Sequence, residues 1–202
     1  MNSELLEALG AESGIVCLVG AGGKKTTMYA LAHAHSGRVL LSSTSHMYPY
    51  DPDAVDCVIT LPNTDAPMPG AENHRVVAVA IATETPKRVG GLEAERIREI
   101  YTTSGFDLCI IKADGARARW IKSPGTHEPV IPPFADTVIP IVSARVIGRP
   151  LDDDIAHRPE RLTRLLGIEH GATITPSHIA ALLSHPDGAL KGVGEADVVP
   201  LI

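Results

Sequence analysis

The sequence has 202 residues, of which 44% are hydrophobic, 21% charged and 3% aromatic. This composition excludes a disordered, collagen-like or coiled-coil chain, and the length suits one sizeable core, so we expect a single domain over residues 1–202. The 18 basic and 24 acidic residues give a formal net charge of −6, which provides no overall attraction to nucleic acid or to anionic lipid.

The N-terminal segment, MNSELLEALGAESG, predicts a short helix over residues 4–9. It lacks the basic and then apolar residues of a signal peptide. No apolar run elsewhere approaches the roughly 20 residues that a membrane-spanning helix needs. We therefore expect a cytoplasmic protein with no membrane partner.

The next elements alternate between strand and helix. Residues 15–19 form a compact apolar run that predicts a buried strand, TTMYALAHAH predicts a helix over residues 26–35, and RVLLSST predicts a second strand. The proline-rich segment MYPYDPDA that follows predicts irregular structure, since proline lacks a backbone donor. The order strand, helix, strand is typical of an α/β fold.

The remainder of the chain continues this alternation. Strands are predicted over residues 56–60, 75–80, 106–111, 137–142 and 197–202, and helices over residues 92–103, 159–166 and 176–183. A long proline-rich loop is expected over residues 121–133. Because aromatic residues are few, the core must be aliphatic, as in a mainly parallel sheet that is buried between helices.

A glycine-rich loop with two lysines lies between the first strand and the helix after it. In such a loop, backbone N–H groups and the N-terminus of a helix converge on an anion, glycine allows close approach, and lysine supplies charge. The sequence therefore predicts phosphate binding by eight consecutive residues, Gly20, Ala21, Gly22, Gly23, Lys24, Lys25, Thr26 and Thr27.

The loop departs from the usual phosphate-loop pattern GxxxxGK(S/T). Counted from Lys24, Gly23 is correctly placed but Lys25 stands at the hydroxyl position. Counted from Lys25, Thr26 is correctly placed but Lys24 replaces the glycine, so we favour the first frame, with Thr26 as the hydroxyl ligand of Mg²⁺. The dinucleotide pattern GxGxxG fits less well, because Lys25 replaces its third glycine. A glycine-rich turn that binds no ligand is the remaining alternative.

Asp114 supplies the second half of a predicted nucleotide site. In FDLCIIKADG it follows an apolar strand and precedes Gly115, like an aspartate that holds Mg²⁺ directly or through water in nucleotide-hydrolysing proteins. A simple turn aspartate is the alternative. Ligands bind at the carboxyl edge of open α/β sheets, so we expect Asp114 to lie near the glycine-rich loop, with Mg²⁺ bound by Thr26 and Asp114.

Four motifs occur in a characteristic order: VGAGGKKTT, SSTSHMYP, KADGARARWIKSPGTHEPVIP and VIGRPLDDDIAHRPE. With them the chain resembles, over nearly its whole length, the YqeC-type proteins, accessory proteins of selenium-dependent molybdenum hydroxylases. The resemblance implies a three-layer P-loop NTPase-like fold with a mainly parallel sheet and a nucleotide, ATP or GTP, bound with Mg²⁺. It also implies a role in maturation of a molybdenum hydroxylase, with that enzyme or its cofactor as a partner.

Two positions depart from the family motifs. The family's GAGGKTT falls on residues 20–26 with Lys25 in place of threonine, and its EADGA falls on residues 112–116 with Lys112 in place of an acid. Each change puts a cation at a position suited to magnesium, which leaves phosphate binding intact and counts against turnover. The family's TTTTH stretch corresponds to SSTSH, which ends in His46.

Further polar residues are candidates for contacts with a ligand. His46 could position a water or contact a phosphate, or it could make a structural hydrogen bond. Arg117 could clamp a phosphate through two hydrogen bonds, or it could belong to a solvated basic face with Arg119 and Lys122. The motif HEPVIP places His127 and Glu128 in the proline-rich loop, where they could contact substrate. A solvated loop is the favoured interpretation of the acidic run DDD at residues 152–154.

Three functional hypotheses follow. In the first, the chain is a Mg²⁺-dependent ATPase or GTPase, or transfers a phosphoryl group, with Lys24, Asp114 and His46 as catalytic residues. In the second, it binds a nucleotide or a phosphorylated cofactor without cleaving it. In the third, it is a small-molecule kinase with its acceptor site in the loop 121–133. No guanine-reading NKxD motif follows a late strand, and ATP and GTP stay open.

Overall fold

A computed structural model describes residues 2–202 of the chain. Helices and strands alternate along it, as the sequence predicts. The helices are α1 Asn2–Ala8, α2 Lys24–Ala34, α3 Ala94–Thr103, α4 Pro159–Leu166 and α5 Pro176–Ser184. The strands are β1 Gly14–Gly20, β2 Val39–Ser43, β3 Cys57–Leu61, β4 Val76–Ile81, β5 Leu108–Lys112, β6 Ile121–Lys122, β7 Thr137–Ile141, β8 Ala156–His157 and β9 Asp197–Val198.

Seven of the strands form one sheet in the order β3-β4-β2-β5-β1-β7-β9. Every neighbouring pair of these strands is parallel. Strands β1, β2, β4, β5 and β7 are buried along nearly their whole length, because both of their faces are covered. The mainly parallel sheet predicted from the aliphatic composition is therefore confirmed.

Two apolar cores lie on opposite faces of this sheet. Met28 and Leu31 of α2 pack on one face together with Leu6 of α1. Ile97 and Ile100 of α3 pack on the other face. Helices on both faces of one sheet give the expected three-layer α/β fold.

A third apolar cluster lies beyond the sheet and includes residues of β6, β8, α4 and α5. Strand β6 pairs with β8 in a separate two-stranded sheet, so the prediction that residues 121–133 are wholly irregular is wrong at its first two residues. Thr175 is the N-cap of α5: its hydroxyl accepts a hydrogen bond from the His178 N–H, and Pro176 opens the helix.

The other boundaries differ from the predictions by one or two residues in most cases. Helix α2 begins at Lys24, directly after the last glycine of the loop, and β9 covers only the first two residues of the strand predicted over 197–202. Within residues 2–202, no helix combines the length and the apolar character that crossing a bilayer would require.

Strand order places the predicted site at one edge of the sheet. Strand β1 lies between β5 and β7, and its residues pair Leu18 with Lys112 and Gly20 with Ile141. The carboxyl ends of these three parallel strands therefore meet at the same edge. The glycine-rich loop that follows β1 and the Asp114 turn that follows β5 are neighbours for this reason.

Candidate functional site

The glycine-rich loop is pressed tightly against β7 and the segment after it. Gly20 and Gly22 have φ angles of +88° and +85°, a region that favours glycine. A Cβ atom on Gly20 would lie 2.3 Å from the Ile141 carbonyl oxygen, and one on Gly22 would lie 2.6 Å from the Trp120 carbonyl oxygen. The path of the loop therefore requires glycine at both positions.

The loop presents backbone donors at the start of α2. The Ala21 N–H donates to the Ile141 carbonyl over 2.8 Å, and the Gly20 N–H donates to Asp114 Oδ2 over 3.0 Å. The N–H groups of Gly22 and Gly23 have no acceptor within residues 2–202, and Gly23 caps α2 without a side-chain hydrogen bond. This leaves consecutive N–H groups available beside a helix N-terminus, an arrangement that attracts anions.

A buried ion-pair network holds the loop in place from behind. Lys24 Nζ lies 2.9 Å from Asp114 Oδ1 and donates to the Gly20 carbonyl, and Lys122 Nζ lies 2.8 Å from Asp114 Oδ2. The exposed fractions of the three side chains are 5%, 2% and 1% for Lys24, Asp114 and Lys122. Removal of one partner from such a network costs about 3–5 kcal/mol, because it leaves a buried charge unpaired.

Glu128 extends this network to the third apolar cluster. Lys122 Nζ donates to Glu128 Oε2 over 3.0 Å and to the Gly115 carbonyl over 2.7 Å. Arg158, immediately before α4, donates from Nη1 to the same Glu128 oxygen over 2.7 Å. The proline-rich loop and the start of α4 are thus fixed to the Asp114 turn by charged groups.

The network lowers the pKa of both of its carboxyl groups. Burial raises the pKa of Asp114, but the charges of Lys24 and Lys122 outweigh it and hold that pKa below the usual value. Burial lowers the pKa of Lys24, and Asp114 opposes this shift. For Glu128, burial is outweighed by the hydrogen bond from Arg158 and by the charge of Lys122, so its pKa falls to about 2.

Lys112 is a separate cation at the end of β5. Its Nζ donates to the Ser45 hydroxyl over 3.0 Å. Burial lowers the pKa of Lys112 to about 7, the charges of Lys24 and Lys122 act in the same direction, and Asp114 opposes them. The charge of this lysine therefore changes near neutral pH.

The loop opens onto a cleft of about 980 Å³. Glu128 is the one acidic side chain among the described residues that line it, and that group is already paired with two cations. Cationic side chains dominate the lining: Lys24, Lys25, Arg88, Lys112, Arg117, Arg119, Arg145 and Arg158. The chain carries a net charge of −6, so this cleft is a local concentration of positive charge.

Unusual backbone conformations also concentrate in the cleft. Among residues 2–202, the non-glycine residues with positive φ are Arg117, Ala118 and Arg158, at +48°, +59° and +65°. All three line the cleft. Such conformations cost roughly 1–3 kcal/mol each and are found more often at functional sites than elsewhere.

The structure brings most of the predicted binding residues together. Gly22, Gly23, Lys24, Thr26 and Thr27 line the cleft beside the exposed side chains of His46 and Arg117. Gly20 and Ala21 lie behind them at the end of β1, where their N–H groups are already bonded.

Three predicted residues are placed differently from the loop donors. The Lys25 ammonium turns away from the loop, donates to the Pro49 carbonyl over 2.7 Å and lies near the rings of Tyr29 and Tyr50. His127 is exposed and is not among the residues that line the cleft, although its neighbour Glu128 is. Asp114 is buried behind the loop and does not line the cleft.

Sequence reasoning missed several residues of the cleft. Arg88 and Arg145 come from segments without a recognisable motif, and Tyr48, with the Arg88 guanidinium 4.0 Å from its ring centre, lies in the proline-rich segment after β2. The basic cluster after Asp114 indicated Lys122 as a candidate in the sequence. Its side chain is buried in the ion-pair network and does not lie on a solvated face.

The residues around Asp114 do not fit direct coordination of Mg²⁺. Oδ1 faces the Lys24 ammonium and Oδ2 faces the Lys122 ammonium and the Gly20 N–H, all within 3.0 Å. Thr26 is exposed on the cleft side of the loop, whereas Asp114 is buried. No group of three or more His, Cys, Asp or Glu side chains in the described chain is arranged to hold a metal ion.

Comparison with known proteins agrees with the sequence motifs. The model of a family described as "YqeC protein" matches residues 16–160, a range that includes the loop, Asp114 and Arg158. A protein of Escherichia coli described as "Uncharacterized protein YqeC" is 29% identical over 207 residues, which cover 95% of this chain and 76% of that protein. No solved structure matches the chain.

Proposed function

The chain belongs to the YqeC protein family, and from this premise and the geometry of the cleft we propose that it binds the polyphosphate group of a nucleotide, ATP or GTP, at the glycine-rich loop. One observation carries the proposal: Gly22 and Gly23, whose N–H groups have no acceptor within residues 2–202, line the same cleft as eight lysine and arginine residues. Phosphate oxygens are the ligands that such a combination of donors and charge favours.

Each part of the cleft has a separate role in this binding. The N–H groups of Gly22 and Gly23 and of the first turn of α2 donate hydrogen bonds to phosphate oxygens, and Lys24 adds positive charge beneath the loop. Lys112 and Arg117 neutralise the remaining phosphate charge from the side of β5. A volume of about 980 Å³ is at the upper end of the range for small-molecule sites and accommodates a whole nucleotide.

The two carboxylates nearest the loop give no support to turnover, which leaves His46 and His157 as the candidate bases of the cleft lining. A general base must be free to accept a proton, and Glu128, the acidic side chain of the cleft lining, is paired with Lys122 and Arg158 and has a pKa of about 2. Asp114 is paired with two lysines behind the loop. Hydrolysis or phosphoryl transfer by Lys24, Asp114 and His46, and a kinase acceptor site in the loop 121–133, stay predictions.

We propose, on the family resemblance, that the nucleotide-bound chain acts as an accessory factor in maturation of a molybdenum hydroxylase. The partner would be that enzyme or its cofactor. This part of the proposal rests on the motifs shared with the family, and pull-down of a co-expressed molybdenum hydroxylase with and without nucleotide tests it. Loss of capture in a variant that no longer binds nucleotide is the expected result.

Calorimetric titration with ATP, GTP and tripolyphosphate tests the binding proposal. We expect saturable binding of the three ligands, and we expect Arg117→Glu to weaken it at least about tenfold, because a charge-assisted contact contributes roughly 1.5–3 kcal/mol. Arg164→Glu is the matched control, since Arg164 is also exposed but lies on α4 outside the cleft. Equal affinity in both variants would place the site elsewhere.

A phosphate-release assay on the same samples separates binding from turnover. We expect ATP and GTP to bind with no release of inorganic phosphate above the rate of a protein-free control. Release that depends on the protein and is abolished by Lys24→Met would support the hydrolytic hypothesis instead.

A further inference from the structure

The carboxylate at the position of a metal-binding aspartate is enclosed by lysines. Asp114 Oδ2 accepts from the Gly20 N–H over 3.0 Å and lies 2.8 Å from Lys122 Nζ, and Oδ1 lies 2.9 Å from Lys24 Nζ. The aspartate side chain is 2% exposed. Both oxygens therefore lie within 3.0 Å of a lysine ammonium group, although Oδ1 accepts no hydrogen bond within the described residues.

The space beside this carboxylate is too small for a hydrated metal ion. A cavity of about 20 Å³ is lined by Gly20, Asp114 and Lys122 together with apolar residues that include Ile141 and Leu182. One water needs roughly 10–15 Å³, whereas Mg²⁺ usually retains several waters in an octahedral shell. This cavity has room for about one water molecule and is smaller than a hydrated Mg²⁺ ion.

Charge also opposes a metal ion at this position. An ion bound at the usual distance of about 2.1 Å from either Asp114 oxygen would lie no more than about 5 Å from an ammonium group. Lys24 and Lys122 already neutralise the carboxylate, so an added divalent ion would leave an excess of positive charge in a buried region.

We propose that the cleft binds polyphosphate without Mg²⁺, with the ammonium groups of Lys24 and Lys112 supplying the positive charge that a metal ion provides in other phosphate loops. Lys122 has the role of a positioning residue: it holds Asp114 in the ion-pair network and keeps it from a metal. This inference rests on the proposed function, because it concerns how the same site neutralises the negative charge of its ligand.

Titration of the purified full chain with tripolyphosphate, once with EDTA and once with excess Mg²⁺, tests the inference. The expected result is binding in EDTA that is at least as tight as binding with Mg²⁺, since free tripolyphosphate carries more negative charge than its magnesium complex. Binding that requires Mg²⁺ would overturn the inference and leave the proposed function intact. Absence of binding under both conditions would overturn both.

A substitution of Lys122 tests whether this residue keeps Asp114 from binding Mg²⁺. Lys122→Met releases Asp114 Oδ2, and we expect Mg²⁺ to tighten the binding of tripolyphosphate to this variant relative to EDTA. Lys191→Met is the control, because Lys191 lies outside the cleft, and it should behave like the parent chain. An unchanged response to Mg²⁺ in folded Lys122→Met would contradict the role of Lys122.

A measurement on the parent chain covers the case in which Lys122→Met does not fold. Mn²⁺ is added to the unliganded protein and the free ion is followed by electron paramagnetic resonance. We expect no stoichiometric binding. One tightly bound Mn²⁺ per chain that is lost in Asp114→Asn would overturn the inference.

Discussion

Gly22 shows how closely the loop depends on one residue type. It combines a φ angle of +85° with contacts that leave no room for a side chain, since a Cβ atom would lie 2.5 Å from Ser143 Cβ. Gly148 has a similar φ of +79°, but nothing lies within 4 Å of the position of its Cβ atom. Substitution of Gly148 therefore introduces backbone strain alone, whereas substitution of Gly22 introduces both backbone strain and steric crowding.

Gly22→Ala should lose polyphosphate binding. The added methyl group must displace the loop from Ser143 and Trp120, and the N–H groups of Gly22 and Gly23 move with it. We expect affinity for tripolyphosphate to fall more than about tenfold, equivalent to 1.4 kcal/mol. Gly148→Ala carries only the backbone strain, of roughly 1–2 kcal/mol, and should bind like the parent; equal losses in both variants would contradict this account of the loop.

Lys112 should make polyphosphate binding sensitive to pH. Its pKa of about 7 lies below the usual value of 10.5, so the side chain loses its charge as the pH rises through neutrality. Affinity for tripolyphosphate should therefore fall between about pH 6 and about pH 8. Lys112→Met removes this charge at every pH. The difference between the affinity profiles of the parent chain and the variant therefore measures the contribution of Lys112. Identical profiles would show that Lys112 is not involved.

Charged contacts join the elements around the site in addition to apolar ones. The loop 121–133 and α4 reach the sheet through Glu128, which bridges Lys122 and Arg158. Strand β6 and strand β8 contribute two residues each to their own small sheet. The ion pairs of Glu128 therefore fix how this part of the chain meets the glycine-rich loop.

Glu128→Gln should lower stability in a manner that depends on pH. The pKa of Glu128 is lowered from 4.5 to about 2, so its stabilising contribution is complete above pH 4.5 and is lost as the pH falls towards 2. Urea unfolding should show the variant to be less stable than the parent at neutral pH, and the difference should shrink in acid. A difference that is constant down to the lowest pH would rule out the ion pairs as its cause.

Most elements were predictable because their signals are local. Pro159 and Pro176 open α4 and α5 at the predicted residues, and the aliphatic strands indicate a buried parallel sheet. The meeting of the glycine-rich loop with Asp114 also follows from general rules, since both come after parallel strands. The pairing of Lys122 with Asp114 and the arrival of Arg88 and Arg145 in the cleft depend on contacts between distant segments, which no local pattern specifies.

At the scale of the whole molecule, charge is distributed unevenly. The chain carries a net charge of −6, yet cationic side chains from several segments meet over the carboxyl edge of the sheet. A positive cleft on a chain of negative net charge attracts small anions. This distribution agrees with the proposal of a small phosphorylated ligand.

A crystal structure of the chain grown with excess ATP and EDTA tests the central claim most directly. The account predicts phosphate density at the start of α2, with oxygens within hydrogen-bond distance of the Gly22 and Gly23 N–H groups and with Lys112 nearby. Triphosphate bound at another surface, or a loop that carries no phosphate in crystals grown with saturating ligand, would contradict it.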